Sequence, residues 1–125
     1  MPRKSTRQLT EAELRLMKSL WNKQPATVGE ILDSLDAEPQ LAYSTVLTTL
    51  RILENKGFVH HKKTGRAFVY ETAIAREDAS AGALKHLLSR FFDDSPELLV
   101  ANLLKNEKIS GKELTRLKRL IAEQK

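Results

Sequence analysis

Apolar residues recur at helical spacing in six stretches of the chain, and in two short stretches between them the pattern runs or alternates as it does in strands. Leu14, Met17, Leu20 and Trp21 share one helical face. Thr10 and Glu13 in front of them have the spacing of a capping box, which predicts a first helix reaching about Lys23. Thr27 with Glu30 opens a short second helix carrying Ile31, Leu32 and Leu35. Beyond the stretch Asp36 to Leu41, which contains Pro39, residues Ala42 to Lys56 read as a third helix ended by Gly57. Its apolar stripe is Val46, Leu50 and Leu53, flanked by Leu47 and Ile52. Tyr43, Ser44, Thr45, Thr48, Thr49 and Arg51 are read as its outward positions, an exposed face rich in hydroxyls.

Two strands are predicted next, Phe58 to Lys62 and Ala67 to Glu71, joined by Lys63-Thr64-Gly65-Arg66. Gly65 there supplies the positive φ that a tight hairpin needs. Helical spacing returns from Ile74 to Phe92, with Leu84, Leu87, Leu88, Phe91 and Phe92 crowded toward the end, and Asp93-Asp94-Ser95-Pro96 breaks it. Ser95-Pro96-Glu97 places a cap, a proline and an acid at the start of a fifth helix. Ser110 with Glu113 opens a sixth, carrying Leu114, Leu117, Leu120 and Ile121. The expected fold class is therefore mainly α (α+β): a winged helix-turn-helix domain over residues 1–72, then a three-helix region over residues 73–125. The first five elements use about 70 residues and can close a core, whereas the last three use about 50, too few for a secure one.

This order of elements changes the meaning of the polar residues. A major groove admits one α-helix, and the third helix of a winged helix enters it by its N-terminal end, where short hydrogen-bonding side chains reach base edges. Tyr43, Ser44, Thr45, Thr48, Thr49 and Arg51 form the candidate base-reading set. Read without that context, Ser44 and Thr45 are ordinary helix-capping residues. Lys62, Lys63 and Arg66 at the hairpin are candidate phosphate contacts. The net charge of +5, from 21 Lys and Arg against 16 Asp and Glu, suits an anionic partner.

Other chemistries lack residues. With no cysteine there is no disulfide, thiol nucleophile or thiolate metal site. His60 and His61 are neighbours on a strand and leave opposite faces, and His86 stands alone, so no metal or other cofactor is expected. Enzyme motifs are absent: there is no G-x-S-x-G, H-E-x-x-H, Walker loop or G-x-G-x-x-G. Neither a secretory signal nor an apolar run near the ~20 residues of a membrane helix is present, so a cytoplasmic protein without membrane insertion is expected. The apolar positions of the last three helices, led by Leu84, Leu88, Phe91, Leu99, Leu103, Leu117 and Leu120, exceed what one copy can bury and predict a homodimer. Two alternatives stay open at this point: a winged-helix module that binds protein through its apolar faces, and a MarR-like regulator with a small-ligand pocket.

Several segments resemble the BlaI/MecI penicillinase-repressor family. Leu9-Thr10-Glu11-Ala12-Glu13-Leu14 with Met17, Leu20 and Trp21 resembles its opening, Ala42 to Leu50 its recognition helix, Gly65-Arg66-Ala67-Phe68-Val69-Tyr70 its wing, and Ser110 to Lys125 its last helix. The resemblance implies a homodimeric repressor that binds double-stranded operator DNA at inverted repeats resembling TACA/TGTA, with C-terminal helices that interlock two chains. It also implies release by a membrane metalloprotease sensor that triggers cleavage between Asn and Phe in the fifth helix. The matching residues are Asn102 and Leu103, so leucine stands where phenylalanine is usual. The copper-sensing relatives have a cysteine-rich tail, which this chain lacks.

Overall fold

The structure is a computed structural model, and it describes residues 8–35 and 41–124. The expected break at Pro39 lies outside the described residues. The elements run α1 (Glu11–Asn22), β1 (Ala26–Thr27), α2 (Val28–Ser34), α3 (Tyr43–Lys56), β2 (Val59–Thr64), β3 (Ala67–Thr72), α4 (Arg76–Phe91), α5 (Pro96–Asn106) and α6 (Gly111–Glu123). This is the winged-helix order, mostly helical with one small sheet. Each expected capping box forms: Thr10 with Glu13, Thr27 with Glu30, and Ser110 with Glu113 exchange reciprocal side-chain to backbone hydrogen bonds. Gly57 ends α3 in the left-handed region at φ 90°, where a side chain would be strained.

The sheet has three strands in the order β1-β3-β2, all antiparallel. β1 is an addition to the sequence reading. It pairs Ala26 with Tyr70 and Thr27 with Val69, and two residues are too few to display a strand periodicity. β2 and β3 run in register from Val59↔Thr72 to Thr64↔Ala67. Gly65, at φ 62°, takes the first of the two loop positions, as a type II′ hairpin turn requires.

The core forms where α1, α2 and α3 close over the base of this sheet. Leu16, Met17 and Leu20 of α1, Ile31 of α2, and Val46, Leu50 and Leu53 of α3 are fully buried, with Phe58, Val59 and Tyr70 beneath them. Each large apolar side chain buried in this way stabilises the fold by about 1.5–3 kcal/mol relative to an exposed one. The buried face of α1 is turned slightly from the expected one: Leu16 is in the core and Leu14 is half-buried.

That turn brings Glu13 into the interior, where it is only 4% exposed. Its Oε1 accepts from the Thr10 backbone N–H at 2.9 Å and from Lys56 Nζ at 2.8 Å, and Lys56 also donates to the Gln8 carbonyl at 3.0 Å. One carboxylate thus caps α1 and ties it to the last turn of α3. Trp21 Nε1 donates to the Ile74 carbonyl at 3.0 Å, and the Arg76 guanidinium lies over the Trp21 ring, so the approach to α4 is fixed on α1.

The chain divides into two compact units after Ala81, within α4. The first contains every residue of the core cluster. In the second, no described residue is buried, and Phe91, Leu103, Leu120 and Ile121 are among its exposed side chains.

The Glu13 arrangement yields a prediction. Glu13→Ala removes half of the capping box and leaves the Lys56 ammonium without its carboxylate, so urea unfolding of the variant is expected to show a loss of about 2–4 kcal/mol. A loss below about 0.5 kcal/mol, the size of an ordinary surface change, would contradict this role.

Candidate nucleic-acid interface

α3 is held by one side only. Val46, Leu50 and Leu53 face the core, while Tyr43, Ser44, Thr45, Thr48 and Arg51 are exposed. Thr49 is corrected. Read as an outward position, it is 8% exposed and its hydroxyl donates to the Thr45 carbonyl at 2.8 Å, so it belongs to the packed side. The reason is geometric: position 49 follows Val46 by three residues and precedes Leu53 by four, which puts it on their stripe. The same spacing reveals two exposed positions missed in the sequence. Ile52 and Asn55 continue the Ser44–Thr48 row along the helix.

The start of α3 differs from a capped surface helix. Its N-cap is Ala42, with no side-chain hydrogen bond to the helix end, whereas α1, α2, α5 and α6 are each capped by Ser or Thr. Ser44 and Thr45 follow the cap, and neither hydroxyl is engaged in capping. They lie at the positive end of the helix, where exposed N–H groups attract anions.

The hairpin sorts its cations by face. Paired residues of an antiparallel ladder share a face and alternate along each strand. His61↔Tyr70 and Lys63↔Phe68 therefore lie on one side, His60↔Glu71 and Lys62↔Val69 on the other. The observed contacts agree. The His61 ring packs on Phe68 and Tyr70 with centroids 4.8 and 5.2 Å apart, while His60 Nε2 is 3.9 Å from Glu71. Lys62 and Lys63 therefore leave opposite faces of the wing, and Lys63 shares the aromatic face.

That aromatic face lines a cleft with α3, into which Tyr43, Arg51, Glu54, His61, Arg66 and Tyr70 open. Tyr70 is buried at its base. Burial first, and the Glu54 carboxylate second, push its phenol above the ordinary value, so it is uncharged at neutral pH. Glu54 Oε1 is 2.7 Å from His61 Nδ1, a link between the helix and the wing. Glu54, Phe68 and Tyr70 were not candidates from the sequence. The signal for Glu54 was its spacing from Tyr43, Leu47 and Arg51, which places all four on one helical row. Among the described residues no group of three or more His, Cys, Asp or Glu side chains could hold a metal ion, and no helix is long and apolar enough to cross a membrane.

Comparison with known proteins supplies the remaining observation. The penicillinase repressor family profile matches residues 9–123. The penicillinase repressor of Bacillus licheniformis is 31% identical over 118 residues, covering 94% of this chain and 92% of that protein. The transcriptional regulator BlaI of Mycobacterium tuberculosis is 32% identical over 116 residues, covering 92% and 83%. Among solved structures, the DNA-binding domain of the repressor BlaI superposes with a TM-score of 0.52 at 32% identity, covering 62% of this chain and 93% of that one. With the family profile and a relative's sequence matching nearly its whole length, the chain belongs to the penicillinase repressor family.

Proposed function

We propose that this chain is a DNA-binding transcriptional repressor that reads an operator with the exposed N-terminal half of α3 and grips the backbone with its wing. As a member of a repressor family it is not an enzyme. The observation that carries the reading is the start of α3: a helix end whose cap, Ala42, supplies no side-chain hydrogen bond, with exposed Ser44 and Thr45, set beside a hairpin bearing Lys63 and Arg66. In this role Tyr43, Ser44, Thr45, Thr48 and Arg51 face the groove, and Lys62, Lys63 and Arg66 meet phosphates.

Homodimerisation completes the reading. The α4–α6 unit has no buried residue as a single chain, and isolated helices of this length are marginal in water. Pairing two copies through Leu84, Leu88, Phe91, Leu99, Leu103, Leu117 and Leu120 would bury that surface. It would also link two half-site contacts, which raises affinity through effective concentration. Relief of repression by a membrane metalloprotease sensor would act on the same unit. Asn102 and Leu103 are exposed residues of α5, and a cut between them would detach α6 and with it much of the pairing surface. Coexpression with such a protease and sequencing of the fragments tests this: a cut at Asn102-Leu103 supports it, and an intact chain under full induction excludes it.

Two predictions test the DNA reading. On a duplex carrying the TACA/TGTA inverted repeat, Lys63→Ala with Arg66→Ala should weaken binding to all sequences and reduce the salt slope by about one unit per lost phosphate contact. Thr45→Ala or Thr48→Ala should instead relax sequence preference by about 1–3 kcal/mol, while Thr49→Val leaves DNA affinity unchanged. A gel-shift salt series in which neither set of variants differs from wild type would refute the assignment. It would favour a protein-binding winged helix, which needs no salt-dependent duplex binding.

A third prediction tests the dimer. Phe91→Asp or Leu103→Glu places a charge in an apolar interface and is expected to produce monomers in sedimentation equilibrium at micromolar concentration. Wild-type chain sedimenting as a monomer under those conditions would contradict the homodimer.

A further inference from the structure

The link between Glu54 and His61 is poorly suited to holding the fold. Both side chains are about one-third exposed, and surface pairs of this kind are worth at most about 1 kcal/mol. Its position is more informative than its strength. Beyond the short β1, which pairs only with Val69 and Tyr70, the wing is a two-stranded ribbon. Such ribbons are marginal on their own. Yet the ribbon presents Lys63 and Arg66, whose distance from α3 has to match the distance between a groove floor and its flanking phosphates. His61 stands where the ribbon loses its third strand. It packs on Phe68 and Tyr70 within the wing and reaches Glu54 on α3.

The pair is also anomalous for its place. A carboxylate in a cleft facing phosphates repels them, unless a cation offsets it. The groups that face His61 are Glu54, Arg51 and Tyr43 from α3, Tyr70 from β3, Arg66 from the turn, and Lys63 on its own strand. Of these, only Glu54 carries a carboxylate, and His61 touches it directly. A ring N–H donated to that carboxylate occupies it and leaves the field of Arg51, Arg66 and Lys63 facing the DNA.

We propose that Glu54 and His61 are a positioning pair for operator binding, whose side-chain link sets the wing against the recognition helix. The proposal rests on the reading of the chain as a duplex-DNA binder. Neither residue needs to touch a base. His60, on the opposite face beside Glu71, has no part in this.

The test is fluorescence anisotropy of the full chain on the TACA/TGTA duplex at neutral pH and fixed salt. Wild type is compared with His61→Ala, His61→Asn, Glu54→Ala, the double variant His61→Ala with Glu54→Ala, and His60→Ala, and the thermal melting of each is measured. His61→Ala should bind about five- to tenfold more weakly, the size of one lost charge-assisted hydrogen bond, with little change in melting. His61→Asn keeps a donor near Nδ1 and should recover most of that affinity. In the Glu54→Ala background His61→Ala should cost no further affinity, and His60→Ala should bind as wild type does. Wild-type affinity in folded His61→Ala, or its full loss repeated in the Glu54→Ala background, would overturn the proposal while leaving DNA binding intact. A wild type that does not bind the duplex would overturn the DNA reading and this proposal with it.

Discussion

Burial of one face of α3 is the constraint on which the rest of the molecule depends. Val46, Thr49, Leu50 and Leu53 lock that face against α1, α2 and the base of the sheet. A helix in which every fourth or third side chain is fixed in a close-packed core cannot rotate without unpacking it. The remaining face is therefore held outward in one orientation. Lys56, held by Glu13 and by the Gln8 carbonyl, anchors the far end of the helix, so its uncapped start projects from a rigid support. The proposed reading of base edges asks for side chains placed to within about 0.5 Å, and preorganisation of this kind supplies that accuracy.

The wing depends on the same packing. Tyr70 is buried in the core at its root, and Phe58 N–H donates to the Leu53 carbonyl, so β2 continues directly from the end of α3. Outward from that root, support passes from core burial to aromatic stacking and one polar link. Stability thus falls along the hairpin toward the residues proposed to meet phosphates. Such a gradient is common where a binding element has to adapt to its target.

Much of this was legible in the sequence because strong local signals coincide with the final contacts. Thr10, Thr27 and Ser110 announce three helices, Gly57 ends a fourth, and Gly65 fixes the hairpin turn; all act within a few residues. The parts that were not legible depend on partners distant in the chain. β1 exists only because β3 passes beside it. The second role of Glu13 needs Lys56, 43 residues away. Thr49 looked polar and outward, but its hydroxyl is satisfied by its own helix, which removes most of the objection to burying it. The separation of Lys62 from Lys63 follows from strand pleating and was available in principle, yet composition alone gathers them into one basic cluster. The positions proposed to meet DNA stand out in the sequence, since exposed hydroxyls and cations are unusual where packing asks for neither.

The central claim is that α3 and the wing together form the nucleic-acid face. It is tested most directly by amide resonances of the isotopically labelled chain titrated with the inverted-repeat duplex. The account predicts shifts concentrated from Tyr43 to Arg51 and from Lys62 to Arg66, with the surface of Ser19, Lys23 and Asp33 undisturbed. Shifts confined to the apolar positions from Leu84 to Ile121, with α3 and the wing unchanged, would contradict it.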